Sequence, residues 1–259
     1  MNKKYIILIT ITIIYILVLF LVFGTNEIEK EQRKATIILD DNTIWNLNKN
    51  VWTNITSAEG QEDLNTSEFT VFVNYENIGK YYLTKDNNKW FLHDKNQNIK
   101  EYELGSFFAV NANYPINVLK FNYKQANDKK IINKVLSDNS IKDTDELTVS
   151  TVASLDFDND GQIEKFYALS NAFARETSPS KVFSIVFMEK NNDIYYLYKA
   201  TETNDGQNGC KPYINTILDI NEDNIYEIAL SCGYYSIQER LDMLYTYQDN
   251  QFKLLITNE

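Results

Sequence analysis

Histidine, proline and glycine are scarce in this chain of 259 residues, with 1, 3 and 8 occurrences. Because His93 is the only histidine, neither a serine–histidine–aspartate catalytic arrangement nor a histidine-ligated zinc centre is easily assembled. A surplus of positive charge is also missing, since the formal net charge is −11. Binding to nucleic acid is therefore not expected, because a chain without a basic patch repels phosphates.

Hydrophobic residues, by contrast, make up 44% of the chain and aromatic residues 14%, which is enough to build a buried core. A chain of this length can hold one large or two modest domains. Tyrosine, isoleucine, phenylalanine, valine and threonine are plentiful, and these residue types fit the pleated surface of a sheet. Together with the few prolines and glycines, this composition predicts a mainly β fold.

An uncharged apolar run near the N-terminus predicts a membrane anchor. It extends from Tyr5 to Phe23, which is 19 residues (23 − 5 + 1) and about 28 Å as a helix, close to the thickness of a bilayer core. Lys3 and Lys4 precede the run and acidic residues follow it, which favours a cytoplasmic N-terminus with the rest of the chain outside. Residues 1–24 are therefore predicted to form a single-pass transmembrane anchor in the cell membrane.

A cleaved signal peptide is the alternative interpretation of the same run, with Val22 and Gly24 at the small-residue positions before Thr25. Cleavage would make the protein secreted instead of anchored. In either case the following domains lie outside the cell. The run is followed by a charged stretch without an apolar face, and a stalk is predicted for residues 25–42.

Short predicted strands separated by polar turns fill residues 43–125, with hairpin-length loops between neighbours. This half is predicted to be a β-meander. A short helix and connector are predicted for residues 126–146, with Asp128 as the N-cap and Asn139 closing the helix in a left-handed conformation. The apolar face of this helix consists of Ile131, Ile132, Val135 and Leu136.

After the helix the sequence repeats itself. Residues 156–164, the first acidic loop, read Asp-Phe-Asp-Asn-Asp-Gly-Gln-Ile-Glu, and 63 positions on (219 − 156) residues 219–227, the second acidic loop, read Asp-Ile-Asn-Glu-Asp-Asn-Ile-Tyr-Glu. Each loop places oxygen side chains at positions 1, 3, 5 and 9, and position 7 can offer a backbone carbonyl, as a hard cation such as Ca²⁺ requires. The predicted metal ligands are Asp156, Asp158, Asp160, Gln162 and Glu164 in the first loop, and Asp219, Asn221, Asp223, Ile225 and Glu227 in the second.

This spacing resembles the calcium loops of FG-GAP and VCBS-type repeats, the blades of the integrin-alpha propeller, whose pattern is Asp-x-Asp-x-Asp-Gly-x-x-Asp between two β-strands. An EF-hand loop would need an acid at position 12, which here is Tyr167, and helices on both sides. The resemblance covers about residues 147–257, within a repeat region predicted for 147–259. It implies two propeller-blade-like units of four strands each, with structural Ca²⁺.

The chain departs from the family pattern in three respects. Both loops close with Glu, and in the second loop Asn221 replaces an Asp and Asn224 replaces the Gly, so its metal site is expected to be weaker. Two units cannot close a propeller of at least four blades. Either the first half supplies further degenerate blades, or the chain forms two β-domains joined at the helix.

Two cysteines, Cys210 and Cys232, are equidistant from position 221 inside the second acidic loop. If this loop is the tip of a hairpin, the two sulfur atoms face each other across its base. An exported chain then favours a disulfide. Two buried free thiols are the alternative.

The anchor, the repeated loops and the missing catalytic histidines predict a membrane-anchored, extracellular binding module whose acidic loops hold structural Ca²⁺. Its partner is expected to be another surface component, either a protein or a glycan. One alternative is a cell-envelope hydrolase that uses carboxylates such as Glu101 and Glu103. Another is an accessory subunit of a membrane complex, in which the apolar run of residues 5–23 contacts its partners.

Overall fold

The computed structural model describes residues 15, 33–39, 43–55, 63–86, 89–96, 98–100, 107–142, 147–172, 182–202, 210–234 and 240–258. Over these residues the chain forms three antiparallel sheets and one α-helix, which confirms the predicted mainly β class. The strands are β1 (Lys34–Leu39), β2 (Thr43–Asn48), β3 (Val51–Asn54), β4 (Glu68–Val73), β5 (Glu76–Asp86), β6 (Lys89–His93), β7 (Ile99–Lys100), β8 (Phe107–Ala112), β9 (Asn117–Val118), β10 (Lys124–Gln125), β11 (Val149–Leu155), β12 (Glu164–Ser170), β13 (Val182–Lys190), β14 (Asp193–Glu202), β15 (Cys210–Asp219), β16 (Glu227–Tyr234), β17 (Arg240–Gln248) and β18 (Gln251–Thr257). The helix α1 spans Lys129–Asp138, and a 3-10 turn spans Asp63–Thr66.

Sheet I contains eight strands in the order β3-β2-β1-β8-β4-β5-β6-β7. The predicted hairpins form between β2 and β3, β4 and β5, β5 and β6, and β6 and β7. The structure corrects the simple meander, because β8 lies between β1 and β4. Phe108, Ala109 and Val110 of β8 are all buried, so this strand is apolar on both faces. Phe108 and Val110 belong to a buried cluster that includes Ile220, and Ala109 belongs to another that includes Leu64, so packing covers both faces.

Strand β1 lies near the middle of sheet I, within the range predicted as a stalk. It pairs with β2 on one side and β8 on the other. Ala35, Ile37, Ile38 and Leu39 are all buried. The stalk prediction is therefore corrected over residues 34–39, because this apolar stretch is a core strand.

No helix in the described part of the chain is both long enough and apolar enough to cross a membrane. The anchor predicted for residues 5–23 lies outside the described residues, apart from Tyr15, and so do residues 25–32 of the predicted stalk. The anchor therefore stays a prediction.

Sheets II and III are built from the two predicted repeats. Strands β11 to β14 follow one another in sheet III, and β15 to β18 do so in sheet II, so each repeat supplies four consecutive antiparallel strands. The segment between sheet I and α1 adds a fifth strand to each sheet, since β9 pairs with β15 and β10 pairs with β11. This segment therefore runs alongside the first strand of each repeat, at the edge of each sheet.

The three sheets stack in the order III, II, I. One buried cluster joins sheet III to sheet II and includes Phe166 and Leu230. A second cluster joins sheet II to sheet I and includes Ile220 and Trp45. A third packs α1 against the other face of sheet III. Sheets II and III are thus buried on both faces, which agrees with the apolar sequence of β13.

Equivalent residues of the two repeats face the same way along this stack. Phe166 packs in the cluster shared with sheet II, and its equivalent 63 positions on, Ala229, packs in the cluster shared with sheet I. Tyr167 packs beside α1, and its equivalent Leu230 packs against sheet III. The face of sheet III that packs against α1 therefore corresponds to the face of sheet II that packs against sheet III.

The helix begins as the sequence predicts and ends slightly differently. The Asp128 side chain caps it by accepting a hydrogen bond from Ile131 N at 3.3 Å. The residue that adopts the left-handed conformation is Ser140, with φ of 56°, whereas Asn139 has φ of −102° and bonds back to Val135 and Leu136. The predicted apolar face is confirmed, since the buried residues of α1 are Ile131, Ile132, Val135 and Leu136.

Cys210 and Cys232 form a disulfide, as predicted, with their Cα atoms 5.3 Å apart. Cys210 is directly opposite Tyr234 and Cys232 is directly opposite Pro212, so the bridge runs diagonally across one face of the β15–β16 hairpin. Both cysteines are fully buried in the cluster between sheets II and III. The bridge therefore fixes the open end of the hairpin that carries the second acidic loop.

Replacing both cysteines with alanine is expected to lower the free energy of unfolding by about 3 kcal/mol, because the bridge removes loop-closure entropy from the unfolded chain. The cysteines are 22 residues apart in sequence. Urea denaturation of the Cys210→Ala/Cys232→Ala variant, compared with the oxidised wild type, measures the loss. Equal stability of the two proteins would contradict this account.

Candidate metal centre

The two acidic loops join equivalent strands of neighbouring sheets, β11 to β12 in sheet III and β15 to β16 in sheet II. In both loops the fourth and sixth residues have positive φ. These angles are 57° at Asn159 and 84° at Gly161 in the first loop, and 57° at Glu222 and 65° at Asn224 in the second. Asn224 thus adopts the left-handed conformation that Gly161 adopts in the first loop, as an asparagine can.

Each loop is held by the same three hydrogen bonds, in which carboxylates at positions 9, 1 and 5 accept from backbone N–H groups at positions 2, 6 and 7. In the first loop they are Phe157 N to Glu164 Oε2 (2.7 Å), Gly161 N to Asp156 Oδ2 (3.1 Å) and Gln162 N to Asp160 Oδ1 (2.8 Å). In the second they are Ile220 N to Glu227 Oε2 (3.0 Å), Asn224 N to Asp219 Oδ2 (3.1 Å) and Ile225 N to Asp223 Oδ1 (2.8 Å). The sequence repeat is therefore a structural repeat.

The second residue of each loop is an apolar anchor, which the spacing of the oxygen ligands does not reveal. Phe157 is 1% exposed and packs in the cluster between sheets III and II, while Ile220 is 0% exposed and packs between sheets II and I. Each loop is thus attached to the next sheet of the stack. The sequence indicates these anchors only through the apolar residue that both loops have at position 2.

The first loop brings carboxylates together and leaves two of their oxygens without hydrogen bonds. Ligand atoms of Asp156, Asp158 and Glu164 lie within 4.8 Å of one another. Asp156 Oδ1 and Glu164 Oε1 are buried atoms with no hydrogen-bond partner. Since a buried oxygen that accepts no bond is costly, these two atoms mark a place where a cation would be stabilised.

A lysine from the neighbouring strand reaches this same group of carboxylates. Lys190 Nζ donates hydrogen bonds to Asp158 Oδ2 and to Asp160 Oδ2, the latter at 2.8 Å. It also lies 3.4 Å from Glu164 Oε1, close enough for an ion pair but without the geometry of a hydrogen bond. The ammonium group therefore partly neutralises the loop.

These contacts shift the ionisation of both partners towards the charged forms. Burial by itself lowers the pKa of Lys190, but the hydrogen bonds to Asp158 and Asp160 outweigh it, so the net pKa is raised. The hydrogen bond from Lys190, together with the one from Gln162 N, holds the pKa of Asp160 below its usual range. Both groups are therefore charged near neutral pH.

The second loop satisfies its oxygens internally. Asp219 accepts from Asp223 N with one oxygen and from Asn224 N with the other, both at 3.1 Å. Glu227 Oε1 accepts from Asn221 Nδ2 at 3.2 Å, while Oε2 accepts from Ile220 N. Fewer oxygens are left for an ion here than in the first loop.

The surroundings of the second loop also differ. A cavity of about 200 Å³ lies beside it, lined by Trp52, Asp223, Glu227 and Thr246 among others. Arg33 borders the cavity, donating a hydrogen bond to the Asn221 carbonyl and lying 3.5 Å from Glu222 Oε2. In the described part of the chain Glu227 forms no ion pair, and burial, reinforced by Asp223 and Asp219, raises its pKa to about 9.

Of the ten predicted ligands, the structure therefore groups Asp156, Asp158 and Glu164 most closely. Asp160 lies beside them, sharing the Lys190 ammonium. Gln162 and Ile225, predicted to offer carbonyls, are positioned through their N–H groups. The potential ligand atoms that converge in the first loop are all carboxylate oxygens. Oxygen is the ligand that Ca²⁺ prefers, whereas softer metals prefer nitrogen or sulfur.

Comparison of the chain with protein-family models, with curated proteins and with solved structures found no match. The resemblance to FG-GAP and VCBS-type repeats therefore rests on the loops themselves. Glu101 and Glu103, named for the hydrolase alternative, lie outside the described residues.

Proposed function

We propose that this protein is a membrane-anchored, extracellular interaction module in which the first acidic loop binds Ca²⁺ as a structural ion. The observation that carries the proposal is the pair of buried oxygens without hydrogen bonds, Asp156 Oδ1 and Glu164 Oε1, within a set of three converging carboxylates. A divalent cation could be coordinated by both atoms and would offset the mutual repulsion of the carboxylates more fully than Lys190 does. The second loop is a weaker site of the same kind.

We further propose that sheets II and III are FG-GAP/VCBS-like blades. Support comes from the four consecutive strands of each repeat, from the matching loop hydrogen bonds and from the equal orientation of equivalent residues along the stack. In this arrangement α1 and sheet I cover the two outer faces, so a stack of two blades is shielded from water without forming a ring.

The interaction role is supported by aromatic side chains beside the first loop. Tyr195, Tyr226, Tyr247 and Phe252 are only partly buried and pack against the cluster that contains Phe157. Tyrosine offers a large contact area with a polar tip, as recognition surfaces require. An ion in the first loop would hold these rings in a fixed arrangement for binding another component of the cell surface.

Calcium is expected to raise the Tm of the full-length chain by about 2–8 °C at 5 mM. This estimate assumes a Kd near 10⁻⁴ to 10⁻³ M, as in extracellular calcium modules, which corresponds to about 1–2 kcal/mol of stabilisation. The measurement is calorimetry of the protein in mild detergent, with Ca²⁺ or with chelator. Asp158→Ala should abolish most of the shift, because Asp158 belongs to the converging set.

Asp249→Ala is the matched control, since Asp249 is an exposed carboxylate in another hairpin turn, paired with Lys253. It should keep the full response to Ca²⁺. An unchanged Tm with Ca²⁺, in both the wild type and Asp158→Ala, would overturn the metal proposal.

For the interaction role, cross-linking at the surface of intact cells should capture a partner in Ca²⁺ but much less in chelator or with Asp158→Ala.

A further inference from the structure

Lys190 is placed in the first acidic loop by the pairing of two strands. It is the last residue of β13, and the register that sets Lys165 opposite Glu189 brings Lys190 opposite Glu164. Its side chain is only 15% exposed, and its ammonium group contacts Asp158, Asp160 and Glu164. The contact is thus fixed by the backbone of the sheet.

The ammonium group and a divalent ion would use the same oxygens. Asp158 and Glu164 belong both to the contacts of Lys190 and to the converging set of carboxylates. Two cations cannot share these ligands at close range, because their mutual repulsion grows as the distance falls. Occupation by Lys190 and occupation by a divalent ion are therefore mutually exclusive.

Lys190 satisfies this site only in part. Its hydrogen bonds go to Asp158 and Asp160, while Glu164 Oε1 and Asp156 Oδ1 still have no hydrogen-bond partner. A divalent ion carries twice the charge and accepts six to eight oxygen ligands. The residual unsatisfied oxygens therefore provide the driving force by which Ca²⁺ can replace the ammonium group.

The second loop has no equivalent of Lys190 in the part of the chain that the structure describes. Glu227 is directly opposite Thr246, the position that corresponds to Lys190 opposite Glu164. The nearby Arg33 contacts the Asn221 carbonyl and Glu222 instead of the carboxylates at positions 1, 5 and 9. Among the described residues, a tethered cation therefore lies among the ligand carboxylates of the first loop and not among those of the second.

We propose that Lys190 is a tethered counterion which occupies the first acidic loop at low Ca²⁺ and which Ca²⁺ must displace in order to bind. This inference rests on the Ca²⁺ binding proposed above and adds its regulation. The apparent affinity is the intrinsic affinity reduced by the fraction of molecules in which Lys190 has left the loop. Lys190 thereby keeps the loop folded without metal and sets a threshold for its loading.

Removing the lysine separates this role from a merely structural one. Lys190→Met is expected to lower the apparent Kd for Ca²⁺ by about tenfold or more, measured by titration calorimetry on the full-length chain. In chelator its Tm should fall below that of the wild type, because the carboxylates then lack a counterion. Saturating Ca²⁺ should remove most of that difference, whereas a purely structural lysine would leave the variant destabilised in both conditions.

Lys165→Met is the matched control. Lys165 lies in the adjacent strand β12 and pairs with Glu189 at 3.3 Å, so the same charge is removed from the same sheet outside the loop. Its Ca²⁺ affinity should equal that of the wild type. If Lys190→Met binds Ca²⁺ with unchanged affinity, the inference is wrong while the proposed metal site stands. If neither the wild type nor Lys190→Met binds Ca²⁺, the proposed function itself fails.

A measurement on the wild type guards against a variant that does not fold. Acetylation of lysine amines, quantified by mass spectrometry, should modify Lys190 slowly in chelator, where its ammonium group is held by Asp158 and Asp160. It should become several-fold faster with Ca²⁺, while acetylation of Lys165 stays constant. Equal rates at Lys190 with and without bound Ca²⁺ would overturn the displacement of the lysine.

Discussion

Replacing Phe157 with alanine is expected to lower the free energy of unfolding by about 3–5 kcal/mol, the usual cost of removing a fully buried aromatic ring. The centroid of its ring lies 5.2 Å from the ring centroid of Phe166, 5.9 Å from that of Tyr247 and 6.2 Å from that of Phe252. The ring centroid of Tyr226, a residue of the second acidic loop, is 6.3 Å away. The substitution would therefore leave a cavity between sheets III and II and loosen both loops.

Chemical denaturation of the full-length chain measures this loss, and Ile163→Ala is its matched control. Ile163 is an apolar residue of the same loop but is 62% exposed, so its truncation should cost no more than about 0.5 kcal/mol. The Ca²⁺ affinity should weaken in Phe157→Ala and stay unchanged in Ile163→Ala. Similar stability losses in the two variants would show that Phe157 does not anchor the loop.

The anchors explain how each acidic loop is coupled to the packing of neighbouring sheets. Phe157 connects the first loop to sheet II, and Ile220 connects the second loop to sheet I. The N–H group of each anchor is also bonded to the buried glutamate that closes its loop. An ion that fixes the glutamate therefore also fixes the contact between neighbouring sheets.

Much of each loop could be predicted from sequence because its determinants are local. The residues that make the turn, the carboxylates that cap it and the left-handed positions all lie within nine consecutive residues, so the 63-residue offset sufficed to find both copies. The same holds for the helix cap at Asp128 and for the apolar face of α1. The disulfide was predictable because it closes a single hairpin.

Lys190 could not be assigned to the loop in this way. It lies 26 positions (190 − 164) beyond Glu164, at the end of a strand whose register is set by long-range pairing. A one-residue change of register would place its side chain on the other face of the sheet. In the sequence it therefore looks like an ordinary charged residue before a turn.

The arrangement of sheet I could not be predicted for a related reason. Strand β1 follows a charged stretch and falls within the predicted stalk, and without β1 the remaining predicted strands make a simple meander. An apolar strand such as β8 must have both faces covered and a hydrogen-bonded neighbour at each edge, and these neighbours are β1 and β4. The sequence shows that β8 belongs inside a sheet, but not which strands pair with it.

Replacing Asp242 with alanine is expected to destabilise the protein by about 3–5 kcal/mol, because it breaks a buried ionic network and removes the carboxylate that its partners share. Asp242 in β17 is 0% exposed and accepts hydrogen bonds from Ser231, Thr43 and Arg240, the last at 2.8 Å. Thr43 belongs to sheet I and Ser231 to sheet II. The carboxylate therefore links the two sheets.

The remaining contacts of the network indicate where the damage would occur. Arg240 also donates to the Leu39 carbonyl of β1 at 3.3 Å, and Asn258 Nδ2 donates to Thr43 Oγ1 at 3.2 Å. In Asp242→Ala the Arg240 guanidinium would lose its carboxylate while still packed against sheet I. Hydrogen exchange at the backbone amides of β1 and β2 should therefore accelerate more than exchange in β12 and β13, where the repeat nearest α1 is held by its own core.

Asp249→Ala provides the comparison for this variant, as an aspartate whose ion pair with Lys253 is exposed. Its replacement should cost only about 1–2 kcal/mol, because solvent screens such a pair and the remaining cost is that of alanine at the left-handed φ of 55°. Asp242→Asn keeps the size of the side chain and one acceptor oxygen, so its stability should lie between that of the wild type and that of the alanine variant. If urea denaturation placed Asp242→Ala level with Asp249→Ala, the contact between sheets I and II would have to depend on the apolar cluster around Trp45 and Ile220 alone.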